Sequence, residues 1–228
     1  MRANRRQRGF SLAELLTVMG IIGVLVTLSV PALKGVTEST AMTQALTRVA
    51  GAMDATRSYA VANNTHTWVA FTDNATTADT TLEMVSFASR SGLELDPDGT
   101  GAIVEYPSED IEIISPIEKI KQIRLDGKIP EENALRTDTT LPAVGELTEF
   151  SQTASGLQLR FQNKIYTRSI HFKPSGEAAV TTMVPEVIQM VVVPEKNPGV
   201  EPNEKDMRQA SVIRVSGLTG QALVYQPR

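Results

Sequence analysis

The chain has 228 residues, with 22 Lys plus Arg against 26 Asp plus Glu, 41% hydrophobic content, no cysteine and two histidines. That length allows one or two domains with a sizeable core. A net charge of −4 without a long Lys/Arg run lacks the basic footprint of a nucleic-acid binder. The absence of cysteine excludes disulfide frameworks, Cys-ligated zinc and thiol nucleophiles, and leaves His66 and His171 as the whole imidazole supply for metal or acid–base chemistry.

The charge is unevenly placed. Met1 to Gly9 carries Arg2, Arg5, Arg6 and Arg8 and no acid, so the remainder holds 18 basic against 26 acidic residues and a net charge of −8. Phe10 to Leu33 then reads FSLAELLTVMGIIGVLVTLSVPAL, 24 residues with Glu14 as the one charged side chain. As a helix rising ~1.5 Å per residue this is about 36 Å, enough for a hydrocarbon core of about 30 Å. The pattern predicts a single transmembrane span, and the positive leader keeps the N-terminus inside and everything after Leu33 outside. A cleaved secretory signal has a similar outline, with Val30 and Ala32 as a small-residue cleavage site. Glu14 argues against it, because an acid costs about 2.5–3.5 kcal/mol at the centre of such a segment, somewhat less near an end as here, and calls for a partner. Gly20 and Gly23 suit close helix approach, and Pro31 suits a loosened helix near the membrane exit, although all three also fit ordinary membrane-helix composition.

The helical period continues past Leu33. Met42, Ala45, Leu46, Val49, Met53 and Ala60 form one apolar stripe within Ala41 to Val61, with Gln44, Arg48 and Arg57 facing elsewhere. A stripe of this kind packs on a domain, and its methionines read as core. Asn63-Asn64 ends the helix, a pair suited to left-handed or turn backbone. From Thr65 the period becomes two. Strands are predicted near Thr67–Phe71, Thr81–Ala88, Gly156–Gln162, Ile165–Lys173, Ala178–Val184, Val187–Val193, Ser211–Ser216 and Gln221–Gln226, so that the C-terminal half reads as a meander. Asn163-Lys164, Pro174-Ser175-Gly176 and Gly217-Leu218-Thr219-Gly220 are the predicted turns. Between the two β blocks, Ser115-Pro116-Ile117-Glu118 has the form of a capping box with Ile117, Ile120 and Ile123 as a short helix's buried edge, and a strand is the competing reading.

Arg8-Gly9-Phe10-Ser11-Leu12-Ala13-Glu14-Leu15-Leu16 resembles the processing site of type IV prepilins and type II secretion pseudopilins. The resemblance implies cutting after Gly9 by a prepilin peptidase, N-methylation of Phe10 by the same enzyme, and pairing of Glu14 with a neighbouring subunit's new amine. There is a physical reason for such a pair: an amine created at the apolar layer is costly unless a carboxylate neutralises it. Arg57-Ser58-Tyr59-Ala60-Val61, Ile170 to Gly176, and Ile213 to Gly220 followed by Gln221 are similar in order to landmarks of GspH/FimT-type pseudopilins, where Arg often stands in place of Gln221. The closing Thr219-Gly220-Gln221…Tyr225-Gln226-Pro227-Arg228 resembles the Verru_Chthon cassette protein D group.

Other chemistry finds little support. Some major pseudopilins bind calcium in a loop, and Asp96-Pro97-Asp98-Gly99-Thr100-Gly101 with Glu94 offers oxygens, but the spacing is not that of an EF-hand and Pro-Asp-Gly is a common turn. His66 and His171, about a hundred residues apart, read as separate half-exposed strand histidines rather than metal ligands. No Walker loop, Rossmann fingerprint or Gly-x-Ser-x-Gly elbow occurs, and Glu131-Glu132 and Glu109-Asp110 read as solvated loop charges.

The sequence thus predicts an α+β, pilin-like fold: a leader at 1–9, a transmembrane and assembly helix at 10–33, an amphipathic continuation at 34–64, and an extracytoplasmic antiparallel β domain at 65–228 against which the helix packs. With the resemblance it implies a structural subunit of a pilus-like or pseudopilus filament, the minor, tip or priming role resting on the resemblance alone, with no enzymatic activity and no metal or other cofactor. Its partners would be the prepilin peptidase/N-methyltransferase, other pilin-like subunits and an inner-membrane assembly platform, without direct nucleic-acid contact. It would sit in the cytoplasmic membrane with the globular domain outside. The rival readings are a membrane-anchored binding domain that uses the helix only as an anchor, and a hydrolase assembled from scattered carboxylates.

Overall fold

The computed structural model describes residues 12–75, 80–126, 147–150, 156–181, 183–195 and 209–226, with the backbone alone at 26, 28–40, 74–75, 147 and 149. Among the described residues one helix, α1 (Leu12–Asn63), precedes fourteen strands. The chain divides within α1 into two compact units, Met1–Thr43 and Gln44–Arg228.

In the second unit the predicted stripe is the buried face of the helix, with Ala45, Leu46, Val49, Met53 and Ala60 all buried; Met42, before that unit begins, is half-buried. Thr56 completes the stripe; its hydroxyl donates to the Ala52 carbonyl at 2.7 Å, and its Oγ1 lies 2.7 Å from the Ser86 hydroxyl, which can donate to it. The helix stops at Asn63, and Asn64 takes the left-handed conformation (φ 50°) that asparagine tolerates.

Strands β1 (Thr67–Ala75) and β2 (Thr80–Ser89) form a long antiparallel hairpin at the centre of a six-stranded sheet. β10 (Arg168–Phe172) and then β11 (Ala178–Ala179) extend it beyond β1, while β4 (Ile111–Ile113) and β5 (Glu118–Lys121) share the other edge of β2. Thr67 Oγ1 donates to the Thr56 carbonyl at 3.1 Å, so one face of β1 meets the helix. By strand alternation Trp68 and Ala70 face the other way, into a core with Val85, Phe87, Ile111, Leu157, Leu159 and Tyr166. That core is closed by a three-stranded sheet, β3 (Ile103–Glu105), β8 (Gln158–Phe161) and β9 (Lys164–Tyr166). Coverage on both faces explains why β2 and β10 are buried almost throughout.

The third sheet orders β14 (Ala222–Tyr225), β13 (Ser211–Ser216), β12 (Val187–Pro194) and β6 (Ile123–Asp126), with β7 (Leu147–Glu149) parallel to β12. Arg168, 1% exposed, links sheets: its Nη1 donates to the Leu125 carbonyl at 3.1 Å, its Nη2 pairs with Asp73, and its guanidinium lies over Phe150.

The α+β class and the mainly antiparallel pairing agree with the sequence reading; β3–β8 and β7–β12 are parallel exceptions. Four details are corrected. The C-terminal half is not one meander, because β8–β9, β10–β11 and β12–β14 belong to three different sheets. Residues Ile165–Lys173 are split between β9 and β10. The tight turn falls on Gln162-Asn163 rather than Asn163-Lys164: both take positive φ (48° and 61°), as a two-residue hairpin of the primed type requires. The Ser115 segment is not a helix: Ser115 to Ile117 connect β4 to β5, which begins at Glu118. The Ser115 hydroxyl accepts from the Ser86 N–H at 3.4 Å instead of capping a turn, and Ile120 and Ile123 share burial across three residues because Gln122 (φ 60°) breaks the alternation between β5 and β6.

Among the described residues no helix is long and apolar enough to cross a membrane. The predicted span from Phe10 to Leu33 is covered continuously by described side chains only from Leu12 to Leu25, short of the ~20 residues a crossing needs.

Candidate functional site

The sequence places the functional chemistry at the start of α1. Gly9 and Phe10 lie outside the described residues, and only the backbone of Leu33 is described. Glu14 stands in the first helical turn, where the helix dipole favours a carboxylate, and it is exposed. Around it Leu12, Leu15, Leu16, Val18, Met19, Ile21, Ile22, Val24 and Leu25 are each more than half exposed. At 100° per residue these positions encircle the helix, so no face of it is polar. Its hydroxyls turn inward: Thr17 Oγ1 donates to the Ala13 carbonyl and Thr27 Oγ1 to the Val24 carbonyl, both at 2.8 Å. That satisfies the hydroxyl hydrogens without solvent. A side chain added at Gly20 or Gly23 would meet nothing within 4 Å, so the notch each makes is open to a neighbour. The helix continues through Pro31.

At the other end of α1 the three pseudopilin-like landmarks converge, although they lie far apart in sequence. Arg57 was read as facing away, yet it is half-buried, and its Nε donates to the Gly176 carbonyl at 3.4 Å. A Cβ on Gly220 would come within 2.2 Å of that same carbonyl and 2.8 Å of Arg57 Cδ. Gly176 (φ 89°) and Gly220 (φ 65°) therefore let two turns close on one arginine, and the Ala178 N–H donates to the Gly217 carbonyl at 2.7 Å to tie those turns together.

The histidines depart most from expectation. His66 Nδ1 lies 2.8 Å from His171 Nε2, and His171 Nδ1 lies 3.4 Å from the Glu94 carboxylate. The His171 ring stacks on Trp68, 4.7 Å between centroids and 9° from parallel, and Trp68 stacks on Phe87. His171 is 5% exposed, and burial holds its pKa down to about 3, with His66 and Lys173 acting the same way. Burial also lowers His66, against the pull of Glu94 and with the help of Lys173. A small cavity of about 20 Å³ adjoins His171, lined by Trp68, Glu94, Asp96, Gly99, Leu157 and Val180. The sequence carried no local signal for this cluster, because antiparallel register alone sets Trp68 opposite His171.

In the Asp96 loop the carboxylate oxygens accept from Thr100 N and Oγ1 and from the Gly101 and Ala102 N–H groups at 2.8–3.3 Å. Burial opposes ionisation there, but these donors outweigh it and hold the pKa below the usual range. The loop thus spends its oxygens on its own turn. Among the described residues no group of three or more His, Asp or Glu side chains is placed to hold a metal.

Residues 4–30 match the prokaryotic N-terminal methylation motif. The match supports a type IV pilin- or pseudopilin-like protein. The motif is that of a prepilin-like chain processed by a peptidase and assembling with other pilins. No curated protein and no solved structure matches the chain, so the match speaks for the pilin-like N-terminus and not for the β domain.

Proposed function

We propose that this pilin-like chain is a structural subunit rather than an enzyme, cut between Gly9 and Phe10, methylated at Phe10, and drawn from the cytoplasmic membrane into a pilus-like or pseudopilus filament. In this reading the basic leader stays inside, Phe10 to Leu33 spans the bilayer, and the β domain lies outside. A minor or tip position follows from the GspH/FimT-type resemblance, which gains support from the meeting of Arg57, Gly176 and Gly220. The observation that carries the proposal is the methylation motif running into a helix that is apolar on every side and bears one acid, Glu14. A carboxylate in an apolar membrane-spanning setting has a cost that pairing with a neighbour's amine offsets.

The test is intact-mass measurement of the protein from cells, together with filament incorporation of Glu14→Leu. The reading expects loss of Met1 to Gly9, one added methyl group, and at least a tenfold drop in incorporation for the variant with membrane insertion retained. Retention of the leader, or cleavage near Ala32, would sink it.

A further inference from the structure

The His66–His171–Glu94 cluster joins three parts of the β unit that are separate in sequence. His66 is the residue immediately before β1, two residues beyond Asn64 at the helix exit, and its carbonyl accepts from the Ser89 N–H at 2.9 Å. His171 is the fourth of the five residues of β10. Glu94 sits in the 90–102 loop between exposed Leu93 and Leu95, which packs on the core. Most other polar contacts of the loop's tip are local: Leu93 N–H to Ser91 Oγ, Gly99 N–H to the Asp96 carbonyl, and the four donors on the Asp96 carboxylate. Glu94 is therefore the tip's polar tie to β10.

Protonation acts on this tie through geometry. A carboxylate beside His171 Nδ1 keeps a proton on that nitrogen, which leaves Nε2 to accept from His66 Nδ1–H across 2.8 Å. One added proton can be carried on the outer nitrogen of half-exposed His66 with every contact kept. A second must go to His171 Nε2, where two N–H groups would face each other at 2.8 Å and the rings must part. The charged groups facing the pair are Glu94, which favours protonation, and Lys173 at the end of β10, which opposes it; Asp96 lines the adjoining cavity with its carboxylate held by its own loop.

We propose that this cluster is an acid-operated latch: at neutral pH it holds the 90–102 loop against β10 and the helix exit, and acid uncouples the rings and frees the loop. The sign follows from burial. His171 is neutral when latched, with a pKa of about 3, and returns to an ordinary value near 6.5 when the loop opens. The open state thus binds more protons between those limits, and opening is favoured about tenfold for each pH unit below 6.5. Above 6.5 the latch does not respond.

The experiment is hydrogen exchange of the full-length protein in detergent micelles from pH 7.5 to 4.5, corrected for intrinsic rates, with emission of Trp68, the single tryptophan, followed in parallel. Protection of amides 91–95 should fall about a hundredfold over this range, while amides of the helix at 45–60 keep theirs. In His171→Phe, which keeps a ring on Trp68 but takes no proton, the loop's response should vanish. Should that variant not fold, the unsubstituted protein decides the matter: the His171 ring signals must change from neutral to protonated together with the loss of loop protection, and below 6.5. Titration of His171 near 6.5 with unchanged loop protection, or parallel loss of protection in loop and helix, overturns the latch.

Discussion

Leu12 to Leu25 and Ala45 to Ala60 belong to the same helix and solve opposite problems. The first stretch exposes leucine, isoleucine and valine on every side, with one acid and hydroxyls bonded back to their own turns. The second buries one stripe and leaves Gln44, Thr47, Arg48 and Asp54 exposed. The apolar residues of the first are exposed, whereas those of the second are buried in the core of their own unit. Identical substitutions in the two stretches should therefore fail in different assays.

The largest contrast is expected from an introduced charge. Val49 is fully buried, and Asp there would be an unpaired carboxylate against the sheet, costing about 3–5 kcal/mol and unfolding much of the β unit. Val18 is 53% exposed. Val18→Asp should leave the β unit's thermal midpoint unchanged and act on membrane partition and assembly instead. Thermal melts of both variants beside a flotation assay would separate the two effects; a shared loss of midpoint would mean that the two stretches do not differ as described.

How much of this could be read from the chain follows the range of each interaction. The stripe from Ala45 to Ala60, the Asn63-Asn64 stop and the turns at Gly176 and Gly220 are encoded within a few residues of where they act, and they are found where the periodicity and turn chemistry put them. Ile120 and Ile123 were ambiguous because a three-residue spacing means a helix unless a residue such as Gln122 reverses the alternation, and glutamine gives little warning of positive φ. Arg57 was placed on the outer face by its charge, but its aliphatic stem lies against Gly220 while the guanidinium reaches a carbonyl. His66 and His171 are 105 residues apart, and only the pairing of β1 with β10 makes them neighbours. Glu14 was legible for the opposite reason: its meaning depends on the apolar residues beside it in sequence.

Glycines give the next contrast. Alanine at Gly220 would have to keep φ 65° with its Cβ 2.2 Å from the Gly176 carbonyl oxygen, a backbone atom that cannot step aside. Strain and displacement together should cost about 2–4 kcal/mol. Gly20→Ala meets open space inside a helix and should leave the β unit's unfolding unchanged, adding up to ~1 kcal/mol of helix preference. Chemical denaturation followed by Trp68 emission measures the first. If Gly20→Ala nonetheless reduced filament incorporation, the notch itself would be shown to receive a neighbouring subunit.

The smallest difference concerns threonines that make the same bond. Thr17 and Thr56 each donate to the carbonyl four residues earlier, at 2.8 and 2.7 Å, but Thr56 Oγ1 also lies 2.7 Å from the Ser86 hydroxyl in β2, and its carbonyl accepts from Thr67. Valine matches threonine in shape and removes only the hydroxyl. Thr56→Val would leave the buried Ser86 hydroxyl short of a partner and should destabilise the β unit by about 1–2 kcal/mol. At Thr17 the only group deprived is a carbonyl that already takes part in the helix ladder, so Thr17→Val should change the unfolding midpoint by less than ~0.5 kcal/mol. Denaturation midpoints resolve that difference. Equal effects would mean that the Ser86 contact contributes nothing and that helix and sheet are held by the apolar stripe alone.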